Sequence, residues 1–139
     1  MPAKSMTIIL HSGDFDKAMA AFILANGGAA KGLDVTMFFT FWGLNVMTKG
    51  GAAKASLSKM NFGGLGKMMI AKKMQDNKVA PLEELISDAG ELDIKMIACE
   101  MTMDLMGIPK DNLIKEITDI GGVGAYMDAA IDGHVNLFI

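Results

Sequence analysis

The chain has 139 residues, 13 lysines, 16 acids, no arginine and a formal net charge of -3. That length fits one domain around one good core. The charge excludes a general attraction to nucleic acid, and the missing arginine removes the bidentate clamps that often hold phosphates and carboxylates. Hydrophobic residues make up 51% of the sequence, which excludes a disordered chain, and the single cysteine excludes an internal disulfide. A lone thiol fits a reducing, cytoplasmic setting.

"MTIIL", residues 6–10, is short, apolar and β-branched, the pattern of a buried strand. In "HSGDFD", Ser12, Gly13 and Asp14 are turn and cap residues. Residues 15–31 then read as a helix that Gly32 stops. No secretory signal is expected, because the first apolar run is too short for one. The longest nearly apolar stretch, residues 18–30, also falls short of the roughly 20 residues a membrane helix needs. "DVTMFFTF", residues 34–41, is apolar almost throughout, as expected of a strand covered on both faces. "WGLNVMTKGG" follows as a turn and a short helix.

Residues 49–78 break the pattern. They carry seven lysines and one acid, Asp76, so this stretch is +6 and the remainder is -9. Met60, Met68, Met69 and Met74 fall here, and Gly63, Gly64 and Gly66 are expected to interrupt any long helix. The stretch reads as a basic, methionine-rich insertion in a single domain of residues 1–139. A run of this kind is most often a solvated surface. The sharper alternative is a docking surface for an acidic partner or a peripheral contact with a membrane. Methionines with Lys67, Lys72 and Lys73 at their rim also have the composition of an oligomer contact, so a homo-oligomer is expected.

Pro81 opens a helix, "PLEELISDAG", with acids early and Gly90 at its end. "DIKMIAC", residues 93–99, is the third strand, and "EMTMDLMG" is a helix of about two turns closed by Gly107 and Pro109. A fourth strand is expected over residues 116–120, then the helix "VGAYMDAAID" and a last strand, "HVNLFI". Strands alternating with helices predict an α/β fold, a parallel sheet with helices on both faces.

In such sheets ligands bind outside the carboxyl ends of the strands. Those ends deliver His11, Ser12, Gly13 and Asp14; Thr40, Phe41, Trp42 and Gly43; Cys99 and Glu100; and Gly121 and Gly122. The sole cysteine and the sole tryptophan both lie at this edge. Cys99 sits where a strand ends and a helix begins, and the partial positive charge of a helix start favours the nucleophilic thiolate. Glu100 works against it, and a small buried hydrophobe is the plainer reading of a lone cysteine. His11 could serve as its base if their strands are neighbours; otherwise it is a turn histidine. Two histidines and one cysteine far apart match no metal-ligand spacing, so no metal and no other cofactor is expected. "GGVGAY" is half of a phosphate loop, and a tight turn accounts for it.

"SGDFDKAMAAFILANGGAAKGLDVTMFFTFWGL" followed by "ACEMTMDLMGI" resembles the DsrE/DsrF-like sulfur-transfer family, in the branch labelled peroxiredoxin-like. The resemblance covers nearly the whole chain. It implies a three-layer α/β/α fold with a five-stranded parallel sheet, self-assembly, and a cysteine that carries a persulfide; that cysteine falls on Cys99. Some members of the branch have membrane segments or further cysteines. This chain is expected to have neither, and without a resolving cysteine the peroxiredoxin label does not fit its chemistry. The expected function is a persulfide carrier or sulfurtransferase that exchanges sulfur with donor and acceptor proteins or small persulfides, with Phe41, Trp42 and Met101 as an apolar wall. The alternative is an oligomeric module that binds a small ligand, with Cys99 only lining the pocket.

Overall fold

The computed structural model describes residues 3–139. Five parallel strands form its sheet: β1 (Ser5–Leu10), β2 (Asp34–Phe39), β3 (Lys95–Cys99), β4 (Asp119–Gly121) and β5 (Val135–Phe138), in the spatial order β4-β3-β2-β1-β5. Successive side chains of a strand point to opposite faces. Ile8 and Leu10 of β1, Met37 and Phe39 of β2, and Met96 and Ala98 of β3 enter the larger core on the first face. Phe38, Ile97 and Cys99 enter a smaller core on the second.

Two helices cover the first face. α1 (Phe15–Ala30) buries Ala18, Phe22 and Ala25, and a later helix (Leu82–Glu91) buries Leu82, Ile86 and Ala89. Between them run α2 (Trp42–Val46), α3 (Gly51–Lys54) and α4 (Leu65–Asp76), so the helix at Leu82 is α5. After β3 come α6 (Glu100–Met106) and then, after β4, α7 (Val123–Ala130), whose Tyr126 and Ala130 complete the second core.

The two faces follow from handedness. The chain steps from β1 to β4 one position at a time in one direction, and right-handed crossovers then keep the connections on one face. From β4 to β5 it runs back past three strands, which puts α7 on the other face. After β3 the chain turns to the first face, where Met103, Ile108 and Leu113 pack; after β4 it turns to the second. The two connections part at the carboxyl ends of β3 and β4, the kind of switch point where open α/β sheets form their crevice.

The expected element order is observed, with three corrections. The fourth strand is Asp119–Gly121 and not residues 116–120. Thr118 ends the preceding turn by bonding Met96 from its own N–H (2.9 Å) and side chain, while Ile114 and Ile117 leave the sheet edge to pack on the first core. The second strand stops at Phe39, because Phe41 turns the chain at φ 49 and ψ -129. In the basic segment, Gly63 (φ 68) and Gly64 (φ 104) do break the chain, yet α4 runs twelve residues through Gly66. Gly66 is there for proximity: a Cβ on it would lie 1.9 Å from the Met60 carbonyl oxygen. Among the described residues no helix is long and apolar enough to cross a membrane.

Candidate functional site

Cys99 ends β3 and occupies the N-cap position of α6, without closing a cap hydrogen bond of its own. It is 4% exposed. The row of residues just beyond the strands runs across the sheet: Cys99 pairs with Gly121 on one side, and on the other the register places Thr40 beside it and His11 one strand further. Thr102, the third residue of α6, is fully buried and turns its hydroxyl to the same point. Its Oγ1 lies 3.1 Å from Thr40 Oγ1 and accepts the Phe41 N–H at 3.0 Å.

Burial pushes the Cys99 thiol up. Against it stand the Thr102 hydroxyl and N–H, the Thr40 hydroxyl and the Met101 N–H, all donors toward the sulfur. Together they outweigh burial, so the pKa lies below the ordinary thiol value of 9.0. A buried sulfur whose anionic form is favoured by hydroxyls and backbone N–H groups is suited to nucleophilic attack at neutral pH.

The expected site residues divide into two groups. Thr40, Phe41, Glu100, Met101, Gly121 and Gly122 stand around Cys99. Gly121 lies against α7, where a Cβ would come 3.0 Å from that of Ala125, and Gly122 takes the N-cap position of α7. Glu100 and Met101 are exposed on α6. His11, Ser12, Gly13, Trp42 and Gly43 gather instead at the junction of β1 and α2. The His11 ring sits between those of Phe41 (5.3 Å) and Phe138 (5.6 Å). β2 separates the strands of His11 and Cys99, and two strand spacings of about 4.8 Å put them about 10 Å apart. The neighbouring-strand condition for a His11 base is therefore not met.

Ser12 Oγ accepts the Asp14 N–H at 3.0 Å, and Gly43 N–H donates to the His11 carbonyl at 2.9 Å. Gly13 and Gly43 allow close approach: a Cβ on either would meet the Trp42 or Leu10 carbonyl oxygen, at 2.8 Å and 2.0 Å. Trp42 is 56% exposed, so it forms a surface and not an enclosed wall. Among the described residues, no group of three or more His, Cys, Asp or Glu side chains is arranged to hold a metal ion.

Two overlapping segments of the chain, residues 2–56 and 46–138, match the model of the DsrE/DsrF/DrsH-like family. The chain belongs to that family. It is similar to the uncharacterized protein YrkE of Bacillus subtilis strain 168, with 46% identity over 156 residues, 98% of this chain and 97% of that one. It is also similar to the sulfur carrier protein DsrE2 of Allochromatium vinosum, with 31% identity over 160 residues and all of both chains. Among solved structures, a protein of unknown function from Methanobacterium thermoautotrophicum, MTH1491, has a TM-score of 0.64 over 99% of this chain and 100% of its own, at 13% identity. That last likeness shows the fold alone.

In this DsrE/DsrF/DrsH-like chain the residue that sequence reasoning missed is Thr102. A signal was available. Thr102 follows Cys99 by three positions, and a residue at the third helical position faces the cap. Tyr126 was also missed; its hydroxyl meets Thr7 Oγ1 at 3.0 Å and holds α7 over Cys99.

Proposed function

We propose that this chain is a persulfide carrier with sulfur held on Cys99. The observation that carries the reading is the buried Cys99 at the end of β3, where Thr102, Thr40 and Met101 hydrogen bonds outweigh burial and favour its thiolate. Similarity to a protein named a sulfur carrier supports it. The thiolate attacks the outer sulfur of a donor persulfide, R–S–SH. The donor S–S bond breaks, R–S⁻ leaves, and Cys99–S–SH forms. An acceptor thiolate then attacks that outer sulfur, takes it as a new persulfide and releases the Cys99 thiolate. No outside oxidant or reductant is needed, because each step exchanges one S–S bond for another. The same hydroxyls and N–H groups stabilise sulfur anions at both ends of the cycle.

The donors and acceptors are proteins or small persulfides, and the setting is a reducing, cytoplasmic one in which a lone thiol stays reduced. The carrier is one domain of residues 1–139 with its basic segment as an insertion, and it works as a homo-oligomer. The burial of Cys99 favours one competing reading, an oligomeric binding module in which the cysteine only lines a pocket. Intact mass after incubation with polysulfide or thiosulfate separates the two. A carrier gains adducts of one sulfur atom, and Cys99→Ser gains none. Equal adducts on the serine variant, or a folded wild type that never loads, would remove Cys99 from the chemistry.

A further inference from the structure

α4 has a groove along one side, away from the residues that surround Cys99 in sequence. Gly66, Met69, Ile70 and Lys73 lie three or four positions apart, so they share one stripe of the helix. That stripe forms one wall of a groove of about 560 Å³, and Leu57, Lys59, Met60 and Phe62 form the other. The volume is that of a small-ligand site. Met68 and Lys72 fall on another stripe and do not line it.

Local bonds set the spacing of the two walls. α4 meets the facing segment at Gly66, where a Cβ would strike the Met60 carbonyl oxygen. Gly66 N–H donates to the Asn61 carbonyl at 2.8 Å, and the Asn61 side chain accepts the Leu57 N–H at 3.3 Å. Met60 (φ 59) and Phe62 (φ 47) take left-handed backbone conformations that bulky residues rarely adopt. Both side chains stay outside the two cores, 73% and 72% exposed.

The walls and the charges together select a ligand. Leu57, Met60, Phe62, Met69 and Ile70 are apolar, and methionines adapt their shape to a flexible chain. Lys59 and Lys73 add two ammonium groups, and neither is in an ion pair among the described residues. The one carboxylate of the lining, Asp16, has both oxygens bound by Ser58. A compact anion would leave the apolar walls wet, and a cation would meet the lysines. An apolar chain with an anionic end satisfies both.

We propose that this groove binds a free fatty acid, with its chain against Met60, Phe62, Met69 and Ile70 and its carboxylate paired with Lys59 and Lys73. A bilayer surface is flat and leaves a concavity of this size unfilled, so a single chain fits the groove better than a membrane does. Cys99 does not line the groove, and binding there does not depend on sulfur chemistry.

Titration of the whole protein with dodecanoate, below its micelle concentration, tests the site through the methionine methyl resonances in NMR. The Met60 and Met69 methyls are expected to shift and saturate, while Met68 stays in place. Lys59→Glu with Lys73→Glu should weaken binding at least about tenfold, because charge-assisted bonds are lost. Ile70→Asp should abolish the shifts. Unchanged resonances of the buried Met37 and Met96 show that each variant is folded. Acetate tests the need for the chain, dodecyltrimethylammonium tests the need for the carboxylate, and both should leave Met60 and Met69 unmoved. The proposal is overturned if dodecanoate shifts neither methyl, if either variant binds it as tightly as the wild type, or if acetate or the cationic amphiphile binds equally well. Binding of phosphatidylglycerol vesicles without binding of dodecanoate overturns it in favour of a membrane surface. An assembled wild type that excludes dodecanoate overturns it in favour of a second copy in the groove.

Discussion

Thr102 Oγ1 accepts the Phe41 N–H at 3.0 Å and lies 3.1 Å from Thr40 Oγ1, so Thr102's own proton is left for Thr40 or for the sulfur of Cys99. Whichever hydroxyl donates to the other, the second is free to donate to the sulfur. The pair thus holds a proton toward Cys99 in either arrangement, at the end of the strand that Phe41 turns with its positive φ.

Thr102→Val keeps the shape and removes the hydroxyl. The pH profile of Cys99 alkylation should move to higher pH, and the rate at neutral pH should fall severalfold, while Thr102→Ser should keep the wild-type profile. Loss of the partner for the Phe41 N–H costs about 1–3 kcal/mol as well. The sign of the stability effect follows from the lowered pKa. The contribution of the thiol is full above its ordinary value of 9.0 and is lost as pH falls through the folded value. That slope should flatten in the valine variant. An unchanged alkylation profile in a folded Thr102→Val protein would take the hydroxyl out of the site.

Asp16 ties the basic segment to α1. Its carboxylate accepts the Ser58 N–H at 2.8 Å and the Ser58 hydroxyl at 2.6 Å. Burial pushes the carboxyl up, and the Ser58 bonds outweigh it, so the pKa lies below 3.8. Its contribution to stability is present above that ordinary value and is lost as pH falls through the folded one. Asp16→Asn should loosen residues 49–78 at neutral pH at a cost of about 1 kcal/mol, seen as faster hydrogen exchange at Ser58 and its neighbours. The wild type should loosen in the same place only in strong acid. Equal exchange in both proteins at pH 7 would mean that the tie carries no weight.

The parallel sheet and its helices were legible because hydrophobic periodicity and the strand-end position of Cys99 are local signals. Strand order was not. Placing β2 between His11 and Cys99 takes a long-range pairing that no residue near either one encodes, and this is why His11 read as a candidate base. Asp14 misled in a different way. It has the residue type of a cap and holds the N-cap position, yet its side chain makes no cap bond and lies 3.6 Å from Lys17 instead. The Phe15 N–H is taken by the Ser56 carbonyl at 2.7 Å, a tertiary partner from the basic segment. The fourth strand was misplaced because Ile114 and Ile117 have strand-like side chains and spend them on the core.

Two glycine-to-alanine changes should act with opposite sign. Gly27 is an exposed position within α1 where a Cβ meets nothing within 4 Å, so Gly27→Ala should stabilise by about 0.5–1 kcal/mol. Gly43 is buried at the start of α2, where a Cβ would come 2.0 Å from the Leu10 carbonyl oxygen. Gly43→Ala must push α2 off the end of β1 and should destabilise by about 1–3 kcal/mol. Thermal unfolding of both proteins measures this. Equal shifts would show that the junction of β1 and α2 yields more easily than its spacing implies.

In the proposed homo-oligomer, Met68 and Met69 decide whether a contact between copies made by the basic segment is apolar or electrostatic at its centre. They are 70% and 58% exposed, and neither belongs to a buried core, so changing them should leave the fold of one copy intact. Full burial of a methionine contributes about 1.5–3 kcal/mol. Met68→Asp with Met69→Asp removes two such contributions and would leave two carboxylates to be desolvated in that contact. Dissociation should therefore strengthen at least a hundredfold, read as a monomer by light scattering at micromolar concentration, with unfolding still cooperative. Added salt should do much less. Exposed charges are screened beyond about 10 Å at 0.1 M, so salt would weaken what the lysines contribute and slow association without removing apolar burial. An assembly that salt dissolves while the double aspartate variant keeps it would put the lysines at the centre and leave the methionines idle.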